Sequence, residues 1–353
     1  MDINELLVHM VTRQASDLYI KTESPPMLRI SGQLSPIGDG ALAPEEVEEL
    51  AGQMMQPRHK LEFEARQQVN LAYHNPTMGR YRVNIYMQRS LPAMVIRRIN
   101  TEIPSFEELR LPKTVGDLAL AGRGLVIVTG PAGSGKSTTL AAMIDHRNRS
   151  VPGHIVTIED PIEFVHLDNR SLVSQREVGS DCDSFGMALR DALRQAPDVI
   201  LIGEMRDVES AQAAVHFAET GHLVLTTLHS INASQVVERI LTFFPAEAHD
   251  DIQLQLSLNM IGVLSQRLIP RKDGEGMVLA LELMLVSPHI RELIRKGQIP
   301  QLRGAIQAGA QSGMQTFDQA VYTLIQERLI DAETGMQCAD SPNDLRLRLR
   351  GLV

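Results

Sequence analysis

Residues 125–138 read LVIVTGPAGSGKST. The opening LVIVT is an unbroken run of aliphatic and β-branched residues, the composition of a strand buried on both faces. At Gly130 the character changes. Gly130-Pro131-Ala132-Gly133-Ser134-Gly135-Lys136-Ser137 is a full match to G-x-x-x-x-G-K-[ST], and STTLAAMIDHRNR, which carries Thr138, follows it as a helix-forming run. Glycines at 130, 133 and 135 let the backbone curl until successive N–H groups face an anion. The helix beginning near Lys136 adds the positive end of its dipole. In a loop of this kind Lys136 reaches the β and γ phosphates and the Ser137 hydroxyl ligates Mg2+. The stretch predicts binding of a nucleoside triphosphate.

Downstream, apolar strands alternate with helical patterns. HIVTIED (154–160), DVILIGE (198–204) and HLVLTTL (222–228) read as strands, with a helix over 207–219. That alternation predicts an α/β fold with a parallel sheet, whose ligands sit at the carboxyl ends of the strands. A magnesium-phosphate site there needs a further carboxylate. The candidates are Glu159-Asp160, Glu204 and Glu163, the last beyond Pro161, which cannot continue a central strand. A carboxylate one water away from the γ-phosphate can orient or deprotonate the attacking water. His222 and His229 bracket one strand without metal-ligand spacing, and their placement suggests phosphate sensing. From about residue 233 onward the pattern is mostly helical, with one hairpin-like pair around Asp273–Gly276.

Upstream the pattern differs. Ile3, Leu6, Leu7, Met10 and Val11 share one helical face; DLYIKT and MLRIS read as strands, and APEEVEELAGQMM as a helix with Pro44 at its start. VNLAYH and RYRVNIYMQRSLPAMVIRRI read as strands joined by turn residues. The chain thus divides into an α+β domain over 1–99, a linker over 100–115 with two prolines, and an α/β core over 116–353 that ends in helices.

Composition narrows the class of function. Lys plus Arg is 34 against 43 Asp plus Glu, a net charge of −9, which argues against coating nucleic acid by charge. Aromatics are scarce, at 8 Phe, 5 Tyr and no Trp, leaving few platforms for stacking bases. Cys182 and Cys338 are too few for a four-thiolate zinc site and suggest a reducing compartment. The amphipathic, charged N-terminus does not read as a signal peptide, and no run of 18 apolar residues offers a transmembrane segment.

The motifs in this order resemble the type II/IV secretion and pilus motor ATPases, and more narrowly the type IV pilus retraction ATPases of the PilT/PilU kind. The likeness runs from QASDLYI, PPMLRISG and GRYRVNIYMQR through GPAGSGKST, IVTIEDPIEFVH and LRQAPDVILIGEMRD. It continues through AETGHLVLTTLHS to HIRELIRKG and IQAGAQSGMQTFDQAV. The resemblance implies a RecA-like P-loop NTPase core behind a PAS-like N-terminal domain. It makes 130–138 the Walker A loop for ATP, Glu204 the Walker B acid on Mg2+, and Glu163 the catalytic base. His229 becomes the γ-phosphate sensor, with His222 in the same histidine block. It further implies a homohexamer in which Arg82 and Arg97 act in trans as arginine fingers, with Arg80 and Arg98 as rivals. HIRELIRKG resembles a helix that retraction members need beyond hydrolysis, although Ile290, Leu293 and Ile294 fit core contacts equally well.

Assembly relatives carry a longer front end and, commonly, a four-cysteine zinc module, so the short front end and the two cysteines favour retraction. LRQAPD and the FFP of LTFFPAEAH look more like the accessory PilU branch. Its longer tail is missing, however, and HSINAS after His229 fits neither branch. The implied partners are an inner-membrane pilus platform protein and a paralogous retraction ATPase, with the chain cytoplasmic and peripheral at the inner membrane. The rival readings are an assembly or type II secretion ATPase, a RecA-like nucleic-acid translocase, and a non-hydrolysing scaffold.

Overall fold

The computed structural model describes residues 2–30, 32–99 and 102–351, and the chain forms two compact units. One comprises residues 1–102 with the short segment Ile162–Val165; the other comprises 103–161 and 166–353. Residues 100 and 101, which open the stretch read as a linker, Ser31 at the end of MLRIS, and the terminal residues 352 and 353 lie outside the described residues.

The first unit contains α1 (Ile3–Thr12), β1 (Asp17–Lys21), β2 (Met27–Ile30), β3 (Gln33–Pro36), α2 (Pro44–Met54), α3 (Pro57–Arg66), β4 (Gln68–Asn75), β5 (Gly79–Gln88) and β6 (Leu91–Arg98). The strands form one antiparallel sheet in the order β3-β2-β1-β6-β5-β4. Its alternation is that of a sheet with one covered face. Leu18, Ile20, Tyr81, Val83, Ile85, Met94 and Ile96 point into a core completed by Leu6, Leu7 and Met10 of α1 and Val47 and Leu50 of α2. Asp2 starts α1 by accepting the Asn4 N–H at 2.9 Å, and the apolar spacing read from the sequence buries Ile3, Leu6, Leu7 and Met10. The other face is polar. Register places Arg29, Asp17, Arg97 and Arg82 in one row across four strands.

The second unit begins with α4 (Lys113–Ala119), which starts inside the stretch read as a linker, and β7 (Gly124–Thr129). It continues through α5 (Lys136–Ser150), β8 (Gly153–Glu159), β9 (Ser171–Glu177), α6 (Phe185–Ala192), β10 (Val199–Ile202), α7 (Val208–Glu219) and β11 (Leu223–Leu228). Then come α8 (Ala233–Leu241), α9 (His249–Asn259), β12 (Met260–Pro270), β13 (Met277–Leu285), α10 (Pro288–Arg295), α11 (Leu302–Ala308), α12 (Phe317–Gln326), α13 (Ala332–Cys338) and α14 (Pro342–Leu349). The sheet order is β13-β12-β7-β11-β10-β8-β9; every neighbouring pair is parallel except β12 with β13.

Strands β7, β10 and β11 are buried throughout, and β7 divides its side chains between two cores. Leu125 and Ile127 join α6 to α10 on one side, while Val126 and Val128 join α4 and α5 on the other. The hairpin read around Asp273–Gly276 is thus part of the central sheet: β12 lies against β7. Helices α12 to α14 pack on the far end of that hairpin through Phe317, Val321, Leu324 and Leu345 against Ile269 and Val278. In α10, Ile290, Leu293 and Ile294 are all core contacts.

Candidate active site

The loop from β7 to α5 has the geometry its glycines permit. Gly130 has φ +144°, and a Cβ there would stand 2.4 Å from the Gln266 carbonyl oxygen and 2.6 Å from Ser134 Oγ. No side chain fits. Gly133 and Gly135 have φ +75° and +86°, and Gly135 caps α5 in the left-handed region. Lys136 Nζ donates to the carbonyl oxygens of Gly130 and Pro131 at 2.9 and 3.0 Å, so the ammonium lies over its own loop. Ser137 and Thr138 fall in the first turn of α5. Gln266 of β12 donates to Thr139 Oγ1 at 2.7 Å and ties that turn to the neighbouring strand. Ser134 is 3% exposed, and its hydroxyl has no hydrogen-bond partner among the described residues. Loop residues 131–134 also line a pocket of about 480 Å³ together with Arg267, Leu268, Ile269, Met277 and Cys338.

Because β7, β8, β10 and β11 are parallel, everything just after them shares one edge with the loop. Glu204 follows β10 and His229 follows β11, and the structure brings them together, with His229 Nε2 3.1 Å from Glu204 Oε1. Strand-end hydrogen bonds hold this edge. Thr129 Oγ1 lies 2.8 Å from Leu228 O and 2.9 Å from Ser230 O, Thr227 Oγ1 donates to Gly203 O at 2.7 Å, and Gly203 N donates to Ile158 O.

The same polarity corrects the expectation for His222. Strand β11 pairs Leu223 with Gly124 and Leu228 with Thr129, so His222 stands at the end away from the phosphate loop, about 20 Å distant at strand spacing. Its Nδ1 is 3.0 Å from the Phe217 carbonyl and 3.1 Å from Thr220 Oγ1, and its ring meets Phe217 edge-on. These contacts anchor the turn between α7 and β11. His222 does not join the phosphate site of its own chain.

The acidic block divides. Glu159 Oε1 accepts from Thr157 Oγ1 at 2.6 Å and from Gln175 Nε2 at 3.2 Å, which engages it within the sheet. Asp160 meets Arg206 at 3.5 Å in a half-exposed pair of little energetic weight. Glu163 belongs to the segment that clusters with the N-terminal unit, and its charge helps to raise the Arg97 pKa there. The larger cause is Asp17, a buried carboxylate that accepts from Arg97 Nε at 2.7 Å and also lies 3.8 Å from Arg29. Arg82 stands directly opposite Arg97, and Arg80, two residues earlier, shares its face. Arg98 pairs with the buried Tyr81 and so belongs to the opposite face. Register thus separates candidates that the sequence leaves equal.

His166 closes the acidic block, and burial lowers its pKa to about 4; its Nδ1 is buried with no hydrogen-bond partner among the described residues. A histidine held below its unfolded value stabilises the fold fully above about pH 6.5 and loses that contribution as pH falls toward 4. Between pH 7 and pH 4.5 the wild type is expected to lose roughly 2 kcal/mol more unfolding free energy than His166→Gln. Urea titrations of both proteins at the two pH values measure this; equal losses would contradict it.

Sequence reasoning missed Thr129, Thr227 and Gln266. A signal was present, because a polar residue inside or ending an apolar, fully buried strand must find a hydrogen-bond partner. Among the described residues no three His, Cys, Asp or Glu side chains converge as a metal site. A serine hydroxyl and one carboxylate are the hard oxygen donors that magnesium accepts alongside phosphate and water.

The parallel sheet, the phosphate loop at its carboxyl edge and the Glu204–His229 pair define a RecA-like P-loop ATPase. The chain belongs to the type II/IV secretion system protein family, whose model matches residues 1–287. It is 46% identical to the type IV pilus ATPase PilU of Pseudomonas aeruginosa over 99% of this chain and 92% of that protein. It is 42% identical to the retraction ATPase PilT of the same organism over 98% of this chain and 100% of that protein. The crystal structure of the pilus retraction motor PilT with bound ADP matches at TM-score 0.92 and 39% identity, covering 98% of this chain and 99% of that one. The Legionella pneumophila ATPase DotB matches at TM-score 0.81 and 26% identity, over 99% of this chain and 96% of that one.

Proposed function

We propose that this chain is the ATP-hydrolysing motor that powers type IV pilus retraction, and hence twitching motility. The observation that carries the reading is the Glu204–His229 contact on the same strand edge as the phosphate loop, in a chain near-collinear with retraction ATPases. The loop N–H groups of 130–138, Pro131 excepted, and Lys136 hold the ATP phosphates. Ser137 and Glu204 would hold a magnesium ion, which would supply neutralisation of the phosphate charge. His229, oriented by Glu204, contacts the γ-phosphate, and Glu163 takes the proton of the attacking water.

The motor works as a homohexamer. The 1–99 domain is the intersubunit element, 100–115 its linker and 116–353 the ATPase core. The polar sheet face of one subunit presents Arg82 and Arg97 to the nucleotide of the next, with Asp17 aiming Arg97. Loss of γ-phosphate contacts then drives a rigid-body shift between neighbouring subunits. Among the described residues no helix is long and apolar enough to cross a membrane. The chain acts from the cytoplasmic side on an inner-membrane platform protein. A paralogous retraction ATPase is the expected companion.

Deletion of the gene, complemented with wild type or with Lys136→Ala, tests the reading. The deletion and the alanine variant are expected to show abundant surface pili without twitching, and wild type is expected to restore movement. Loss of pili in the deletion would make the chain an assembly motor instead.

A further inference from the structure

Two threonines at strand ends do more than complete the sheet. Thr129, the last residue of β7, is fully buried, and its hydroxyl lies 2.8 Å from the Leu228 carbonyl oxygen and 2.9 Å from that of Ser230. Those carbonyls flank His229. A hydroxyl has a single proton to give, so Thr129 shares it between the carbonyl oxygens of the residues on either side of the histidine. Thr227 brackets Glu204 in the same way: its hydroxyl donates to Gly203 O at 2.7 Å, and its own carbonyl accepts from Met205 N at 2.8 Å. Both members of the 3.1 Å His229–Glu204 contact are therefore held by their backbone neighbours. Both side chains are themselves half-exposed, and packing does little to fix them.

The residue after Thr129 is Gly130, the first of the phosphate loop. One side chain thus joins the start of the loop to the segment that carries His229. We propose that Thr129 is a positioning residue for hydrolysis. Its hydroxyl sets the height of His229 above the phosphate loop, and Thr227 sets Glu204 against it. The inference rests on the reading of His229 as the γ-phosphate contact.

The alternatives to Thr129 are weaker. Beyond residue 230 the segment has further anchors, because Ser265 Oγ and Arg267 Nη2 both donate to Ile231 O at 3.2 and 3.1 Å. Those anchors lie two residues past the histidine and tie the chain to β12. Thr129 is the anchor that connects His229 to the loop itself.

Thr129→Val removes the hydroxyl at constant shape, and Thr129→Ser keeps it. The valine variant of the full chain is expected to lower kcat for ATP by about 10- to 100-fold, the cost of a displacement near one ångström in a reacting group. KM is expected to stay within about threefold, because substrate is held by the loop amides and Lys136. The serine variant should stay close to wild type. Thr227→Val should lose less, since the Met205 N–H to Thr227 carbonyl bond survives it.

His229→Ala supplies the control. In that background Thr129→Val is expected to cost nothing further. An equal loss in both backgrounds, a serine variant as slow as the valine one, or a valine variant at wild-type kcat would each overturn the proposal. Wild-type turnover by His229→Ala alone would overturn the reading of His229 itself and the proposal with it. Slow turnover by His229→Ala beside an unaffected Thr129→Val sinks only the proposal. ADP affinity and melting temperature verify the fold. Should the valine variant fail to fold, Thr129→Cys, of similar size and with a weak donor, carries the same three readings.

Discussion

Lys136→Ala is expected to lower ATP turnover by about 10²- to 10³-fold, the range for removing one pre-placed transition-state charge donor. The ammonium already lies 2.9 and 3.0 Å from the Gly130 and Pro131 carbonyl oxygens, so it needs no large excursion to meet a phosphate held by the same loop. Alanine leaves the loop backbone to bind phosphate through its amides alone. ADP affinity is then expected to fall less than turnover, because the developing charge on the transferred group is what the lysine meets. Phosphate release at saturating ATP, with ADP affinity measured in parallel, checks both parts. Turnover within threefold of wild type would remove the phosphate loop from the mechanism. The side chain is partly exposed and lies against carbonyls of its own loop, so melting temperature should change less than turnover.

The core strands were legible because local composition determined them. LVIVT, HIVTI, DVILI and LVLTTL are short apolar runs flanked by turn residues, and all four became parallel strands of one sheet. The elements missed have no such local mark. Strand β9, SLVSQRE, is an edge strand with a mixed burial pattern, and α3, PRHKLEFEAR, buries only His59. Helix α6 is eight residues long and carries Gly186 in its first turn. The 260–285 hairpin was visible as a pair of strands. Its place beside β7 depends on a pairing across more than a hundred residues, which periodicity does not encode.

The site shows the same division. Loop residues follow from their motif. Glu204 and His229 follow from strand direction, which also disposes of His222: in a parallel sheet only the carboxyl end of a strand can reach the loop. That argument was available from the order of the motifs, before any coordinate. Which arginines share a face was not available. It depends on Arg97 standing opposite Asp17 on one side and Arg82 on the other. A shift of one residue in that register would have sent Arg97 into the core and Arg98 out.

The acidic block is where register and chemistry combine into the second large effect. Glu163→Gln is expected to reduce kcat by about 10²- to 10⁴-fold, the usual contribution of a positioned general base, with KM for ATP changed by less than about threefold. Glutamine keeps the size and the hydrogen-bonding oxygen and loses only the ability to accept a proton. Glu159→Gln is the necessary comparison. Glu159 Oε1 is committed to Thr157 and Gln175, so its loss should act on β8–β9 packing and melting temperature before turnover. Glu163 differs in kind. Its four-residue segment clusters with the unit that carries the arginine row, and its charge is felt by Arg97. Lys136→Ala should weaken both nucleotide binding and turnover, whereas Glu163→Gln should retain ATP without cleaving it. Single-turnover measurements with both variants separate the two. Wild-type cleavage by Glu163→Gln together with a turnover loss in Glu159→Gln would transfer the base to Glu159.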